Sequence, residues 1–520
     1  MVAAVRSARM NTIYFQARAR GDAYYQSSYE PWAENLTGTL GKDPGWDPLQ
    51  FLLGEAHAAG LEVHAWFNLY KVRGGSRPPA SSPQHPARAH PGWIIPYEKE
   101  GWLDPGIPEV RTYLLRVALD LLRRYDIDGM HFDFIRYPGK DFPDDDTFRR
   151  FGGGMSRDDW RRSNIDRFVA AFYDSATALK PLVKVGSAPL GVFKGGNGNN
   201  GLGAFSLYYQ DSQGWLRAGK HDYLVPQIYW DIGESPGDPD FSALVRSWAQ
   251  NAAGRQVYAG VGAYKQEVLE QIPEQIDLAR SLGMTGQAFF RFEHIRDPAV
   301  FGGRYNTWAN IPPMPWKDPL PPNPPGTMAV TETARGVFSL EWTPPRRAAD
   351  GNDAYSYNIF RWTSAAIPLN DPRSLVAIIP EARTYFVDTV KAPEGVRYYY
   401  AVSALDRAHN ESAPTASSVS VRELVELNGR ISTVTSLATL LHNDDRSSPL
   451  VAFALSGRTV IALELSASGS ADSTAAVLAT GTRDAGTYIV GIPPGRFAPG
   501  RYVVRLTTGV DHLEQPIELR

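Results

Sequence analysis

Short apolar runs alternate with amphipathic stretches through the first part of the chain. The runs are TIYFQA from Thr12, LEVHAWFN from Leu61, DGMHFDFIRY from Asp128, LVKVGSAPLG from Leu182, DYLVPQIYW from Asp222, QVYAGVGAY from Gln256 and GQAFFRFE from Gly286. Between them lie helix candidates over Asp47 to Ala59, Pro108 to Tyr125, Arg157 to Leu179, Phe241 to Ala253 and Glu267 to Leu282. Strands separated by helices predict βαβ units and a parallel sheet. Seven such strands in about 310 residues predict an α/β fold of the (β/α)8 TIM-barrel type. If the run at Thr12 is the second strand, the first lies upstream of Met1. A doubly wound open sheet is the alternative. No G-x-G-x-x-G follows the first visible strand, and polar residues recur at strand ends, so the barrel is favoured.

The stretch from Ile311 to Pro325, IPPMPWKDPLPPNPP, can continue neither helix nor central strand. Beyond it the pattern changes to period two: GVFSLEWTPP at Gly336, YSYNIFRWT at Tyr355, TYFVDT at Thr384 and VRYYYAVSALD at Val396. The order of a Trp strand, a Tyr-rich strand and the alternating YYYAVSA strand resembles a fibronectin type III module. Further short strands, SPLVAFAL, TVIALELSA, TYIVGIP and RYVVRLT, fill the C-terminal segment and predict an immunoglobulin-like β module. The expected division is a barrel over 1–316, a linker over 317–325, a fibronectin-like sandwich over 326–424 and a last β module over 425–520. The run from Gly195 to Gly203, GGNGNNGLG, reads as a loop over the barrel mouth, and Asp144 to Asp146 as a solvated loop.

Composition narrows the chemistry. The 520 residues carry 53 basic and 56 acidic side chains, a formal charge of −3, and no Lys/Arg run, which argues against nucleic acid as the main partner. No apolar run is long enough for a transmembrane helix, and the first residues lack a signal-peptide core. With Cys 0, thiol nucleophiles, thiolate metal sites and disulfides are excluded. There is no H-E-x-x-H, no G-x-S-x-G and no P-loop, so neither a metal nor any other cofactor is expected. Carboxylates remain as the natural catalysts. Eleven of the 13 Trp lie at or before Trp316, which marks the barrel as the part with flat apolar surfaces for a ligand.

In a parallel barrel, side chains at the C-terminal ends of strands converge on one face. The sharpest candidate is Asp133 in DGMHFDFIRYP, followed by Arg136 and Tyr137. Its company is Gln16, Arg18 and Asp22 after the first run; His64, Trp66 and Asn68 on the second; Gln227, Tyr229, Trp230 and Asp231 after Pro226; Tyr264; and Arg291 and Glu293. Each has a bland reading, Arg18 as a neutralised charge, His64 as a core histidine and the tryptophans as packing. Together they suit a sugar, whose CH faces stack on aromatic rings while its hydroxyls pair with amides and carboxylates.

The strings NTIYFQARARGDAYYQSSYEPWAENLTGTLGKDPGWDPLQFLLGEAHAAGLEVHAWFN, LDPGIPEVR, DGMHFDFIRYP, DYLVPQIYW and GVGAY, in that order, resemble the family 10 glycosyl-hydrolase-like proteins. The resemblance implies an exported or cell-envelope bacterial barrel glycosidase. It suggests a polysaccharide substrate, specifically peptidoglycan glycan strands stripped of peptide, and it adds Asp104 to the strand-end set. Where many members have two adjacent acids after His-Phe, this chain has Asp133 then Phe134. Glycoside hydrolysis ordinarily needs two carboxyl groups. Asp133 is expected as nucleophile or base and Asp231 as acid, with Asp22, Asp104 and Glu293 competing. A carbohydrate-binding protein that has lost activity is the alternative. The β modules are expected to act as spacers or adaptors.

Overall fold

The structure is a computed structural model describing residues 1–74, 82, 84–195, 203–233, 238–334, 336–380, 383–390, 396–418, 434–440, 450–455, 459–468, 474–483, 486–492, 497–508 and 512–519. The glycine-rich run singled out above lies mostly outside these residues. Ten strands precede the proline-rich stretch: β1 (Thr12–Arg18), β2 (Glu62–Asn68), β3 (Lys71–Gly74), β4 (Ile94–Tyr97), β5 (Glu100–Leu103), β6 (Gly129–Asp133), β7 (Lys184–Ser187), β8 (Tyr223–Leu224), β9 (Gln256–Val261) and β10 (Gly286–Phe289).

Seven of them form one sheet in the order β1-β2-β6-β7-β8-β9-β10, and every neighbouring pair is parallel. Spatial order follows chain order without reversal. A doubly wound sheet reverses at a switch point, so this sheet is wound as a (β/α)8 barrel, with β1 and β10 as its two margins. The remaining three strands, β3-β5-β4, make a small antiparallel sheet inserted after β2.

Helix boundaries follow local chemistry. Asp47 caps the helix Pro48–Ala58, its carboxylate accepting from the Gln50 amide at 3.0 Å. Ser156 and Asp240 cap Arg157–Leu179 and Phe241–Gln250 in the same way. The single helix expected over 267–282 is two, Gln266–Glu270 and Ile272–Ser281, broken where Pro273 has no N–H to give. Likewise DYLVPQIYW yields only the two-residue β8, because Pro226 cannot donate to a ladder. Gln227 makes only isolated bridges, to Leu190 and Gly260.

Alternation along β2 sets the interior. Val63, Ala65 and Phe67 are buried in the core beneath the helices, while Glu62, His64, Trp66 and Asn68 face the barrel axis. The axial residues form layers. At the bottom, Lys184 donates to both Glu62 carboxylate oxygens at 2.8 Å, and His409, from the β module that follows, reaches the same carboxylate at 2.7 Å. Burial opposes the Glu62 charge, but Lys184 and His409 together hold its pKa well below the ordinary range. Above it, Tyr14, His64, His131, Tyr223 and Tyr258 pack ring against ring. Both His64 and His131 hydrogen-bond the Tyr223 hydroxyl, at 2.8 and 3.2 Å. Burial drives the His131 pKa down to about 3, so His131 sits uncharged in this hydrogen-bonded plug.

After the barrel come β11 (Met328–Ala334), β12 (Val337–Trp342), β13 (Ser356–Trp362), β14 (Leu375–Pro380), β15 (Tyr385–Thr389), β16 (Tyr399–Leu405) and β17 (Thr415–Ser418). They pair as β11-β12-β15 and β14-β13-β16-β17, an immunoglobulin-like sandwich. Trp342 is buried in its core against Tyr357, ring centroids 5.3 Å apart. Beyond β17 the described residues form a second pair of antiparallel sheets, of three and four strands, around Phe453, Leu463 and Val504. Among the described residues, no helix is long and apolar enough to cross a membrane.

Candidate active site

Asp133 is the last residue of β6, in register with Asn68 on β2. Period two turns His131 and Asp133 toward the axis, while Met130 and Phe132 are buried in the core under the helices. The strand stops because Phe134 takes a left-handed backbone, φ 50°, which costs a residue bearing a Cβ roughly 1–2 kcal/mol. The turn aims the Phe134 amide back at Asp133, where it donates to Oδ1 at 2.7 Å. Gln227 Nε2 donates to the same oxygen at 3.2 Å and to the Ala188 carbonyl at 3.0 Å. Burial is the largest influence on Asp133 and raises its pKa, against the pull of these donors and of the Arg136 and Lys71 charges.

One flank of Asp133 is aromatic. Phe290, just past β10, meets the edge of Trp66 at 6.0 Å, stacks on Tyr229 at 5.9 Å and 15°, and meets the edge of Tyr264 at 5.8 Å. Tyr264 is 47% exposed, so the cluster runs from the barrel interior to open surface. Burial, then the neighbouring Asp133 charge, raises the Tyr229 pKa. Trp66 is fixed by its indole N–H donating to Asn68 Oδ1 at 2.8 Å, and Asn68 in turn donates to the Ala19 carbonyl at 2.9 Å.

The other flank is charged and comes from the inserted sheet. Lys71 on β3 pairs with Glu100 on β5, and the Trp102 indole donates to Glu100 at 3.0 Å. Lys71 lies 4.7 Å from the Phe134 ring centroid. The Arg136 guanidinium sits among Tyr208, Phe134 and Trp102, 5.0, 5.4 and 5.5 Å from their ring centroids. A desolvated carboxyl between aromatic faces and polar donors is the arrangement that sugar chemistry uses.

The sequence profile of the family described as Glycosyl hydrolase-like 10 matches residues 1–277. Glycosyl hydrolase YngK of Bacillus subtilis (strain 168) is 34% identical over 442 residues, covering 78% of this chain and 85% of the relative. The chain belongs to the glycosyl hydrolase-like 10 family. Glycosyl hydrolase DigH of Escherichia coli (strain K12) is 32% identical over 324 residues, 56% of this chain and 73% of that protein. Among solved structures, the PgaB (BpsB) glycoside hydrolase domain from Bordetella bronchiseptica overlays with a TM-score of 0.42 at 14% identity, covering 58% of this chain and 90% of that one.

Within this glycosyl hydrolase-like chain, the expected site residues separate into two groups. Trp66, Asn68, Asp133, Arg136, Gln227, Tyr229 and Tyr264 gather as described, and Gln16 lies opposite Trp66 in register. The others are placed elsewhere. Arg18 is fully buried, bidentate to Glu30 at 2.7 Å with its remaining amine on the Asn68 and Leu69 carbonyls, so it carries β1 and β2 rather than a ligand. His64 belongs to the plug below the mouth. Tyr137 is buried with its hydroxyl accepting from Asn164 at 3.1 Å. Trp230 packs against the apolar core around Phe241, Val261 and Ile276. Asp22 is buried and accepts from the Arg20 amide at 2.7 Å. Asp104 is buried with one oxygen on the Gly106 amide at 2.9 Å and the other on the Thr147 hydroxyl at 2.5 Å; burial raises its pKa to about 6. Glu293 is held by Arg291 at 2.6 Å. Asp231 has no side-chain hydrogen bond among the described residues.

The reading of Asp144 to Asp146 as a solvated loop is corrected for its first member. Asp144 is buried and bidentate to Arg161, at 2.6 and 2.8 Å, because the helix Arg157–Leu179 folds back over it. Lys71, Glu100, Trp102 and Phe290 were not singled out from the sequence. Glu100 and Trp102 lie just before the string LDPGIPEVR and Phe290 within GQAFFRFE, and the insertion brings Lys71, Glu100 and Trp102 to the mouth.

Proposed function

We propose that this glycosidase cleaves O-glycosidic bonds in a bacterial polysaccharide, with Asp133 as the carboxylate that acts at the sugar carbon, either directly or through a water. The observation that carries the reading is the desolvated Asp133 carboxyl at the end of β6, held by Gln227 and the Phe134 amide between the Trp66/Phe290/Tyr229 cluster and Arg136. Such a carboxyl is oriented before substrate arrives and faces rings on which a pyranose can stack. Hydrolysis needs a proton donor for the departing oxygen. We assign that role to Asp231, next to Trp230, because the competing acids are engaged: Asp104 by Thr147 and Gly106, Asp22 by a backbone amide, Glu293 by Arg291.

Peptidoglycan glycan strands stripped of peptide are the proposed polymer, and the cell envelope or exterior the proposed location. The division of the chain at 316, 325 and 424 is part of the same proposal, as is the fibronectin type III character of the first sandwich. Incubation with purified glycan strands, chitin and a β-glucan, followed by mass spectrometry, tests the substrate. Shorter fragments are expected from the glycan strands; fragments from none of the three would favour the inactive binding protein instead.

A further inference from the structure

Arg136 has no ion-pair partner among the described residues, although its charge acts on nearby Asp133. Its half-buried side chain lies among Tyr208, Phe134 and Trp102, and its one hydrogen bond among the described residues is from Nη1 to the Tyr137 carbonyl at 3.3 Å. No carboxylate among the described residues lies within ion-pair distance of it. The nearby acids are spoken for: Glu100 by Lys71 and the Trp102 indole, Asp133 by Gln227 and the Phe134 amide. Two fully buried arginines are paired inside the protein, Arg18 with Glu30 and Arg161 with Asp144, both bidentate; half-buried Arg136 is not. Partial burial of a cation without a paired anion is unfavourable, and a guanidinium presents a planar fork matched to a carboxylate.

Resting on the glycosidase reading, we propose that Arg136 recognises a carboxylate carried by the sugar bound beside Asp133, so that the enzyme selects an acidic glycan over its neutral counterpart. The three rings flank the guanidinium, and its Nε and Nη2 have no hydrogen-bond partner among the described residues, which leaves two donors of the planar fork for a carboxylate. A carboxylate seated there supplies the ion-pair partner that Arg136 lacks among the described residues, while the pyranose ring that carries it stacks across the Phe290 cluster. Both a lactyl ether acid, as on peptidoglycan sugars, and a uronate have this chemistry.

The test compares native glycan strands with strands whose carboxyl groups have been reduced to alcohols, using the wild-type chain, Arg136→Gln and Arg136→Lys. Reduction is expected to lower wild-type kcat/KM at least tenfold, mainly through KM. In Arg136→Gln the native and reduced strands should be cleaved equally, and Arg136→Lys should regain part of the preference. Wild-type cleavage of reduced strands as efficient as of native ones, or undiminished preference in Arg136→Gln, would overturn the proposal. Melting temperatures of the variants within a few degrees of wild type exclude a folding loss.

Binding provides a readout independent of turnover. The Asp133→Asn chain is titrated with a chitin oligosaccharide, the same oligosaccharide bearing lactyl acids, and an oligogalacturonate. Tighter binding of one acidic ligand, abolished by adding Arg136→Gln, supports the proposal and identifies which acid is bound. Equal affinity for all three refutes it. If no glycan is cleaved yet the acidic preference is seen, the glycosidase reading fails and the arginine assignment stands.

Discussion

The Gln227 side-chain amide donates to Asp133 at 3.2 Å while the same nitrogen is anchored on the Ala188 carbonyl at 3.0 Å, so β7 and the segment past β8 together fix the carboxyl on β6. Replacing this donor by an acid places two carboxyls in contact, and like charges in one site push a pKa upward. Gln227→Glu should therefore move the acidic limb of the kcat/KM profile to higher pH, because the working carboxylate would be protonated sooner as pH falls. A shift of at least about 1 pH unit is expected. An unmoved limb in the pH–rate profile would separate Gln227 from Asp133.

Asp104 lends itself to a pH–stability test. Its carboxyl titrates at about 6 in the folded chain, burial being the main cause, against about 3.9 in an unfolded one. A raised carboxyl pKa costs stability above the folded value, and the cost fades as pH falls from about 6 toward 4. Asp104→Asn keeps an acceptor for Gly106 and can donate to the Thr147 hydroxyl. It should stabilise the chain at pH 7.5 by about 1–3 kcal/mol and lose that advantage near pH 4, measured by denaturant unfolding at both values.

The barrel floor is joined to the first sandwich through Glu62, Lys184 and His409. Removing one partner strands a buried charge, which costs about 3–5 kcal/mol. Lys184→Met should show that loss in thermal unfolding, and Glu62→Gln with Lys184→Met should recover most of it. Equal melting of wild type and the single variant would remove the pair from the account. This contact also alters the expected role of the sandwich. A module whose histidine enters the barrel floor is part of the barrel's foundation, more than a spacer.

Tyr264 and Phe290 offer a test of stacking. Truncating either to Ala should raise KM by up to about tenfold, the worth of one aromatic contact, with the smaller change in melting for Tyr264→Ala because that residue is 47% exposed. A change confined to kcat would argue that the cluster positions Asp133 and does not hold sugar.

How far these features could be read from the sequence depended on how local their causes are. The winding was legible because seven apolar runs separated by helical stretches leave few topologies, and Asp133 was legible because period two on DGMHFD turns it inward at a strand end. Arg18 and His64 share that local signature. What sends them to structural roles is long-range: Glu30 closing on Arg18, and Tyr223 meeting His64 across the barrel. The His409 to Glu62 contact joins residues far apart in the chain, and no spacing rule reaches it. Asp144 looked solvated within an acidic triplet because its partner, Arg161, lies a helix away.

Turnover of purified glycan strands by Asp133→Asn measures the central claim most directly. Asparagine preserves the shape of the side chain and an acceptor for the Phe134 amide, so the fold should persist. The assignment predicts a kcat at least about 10²–10⁴-fold below wild type, with melting unchanged and strands still bound. Turnover by Asp133→Asn equal to wild type would contradict it.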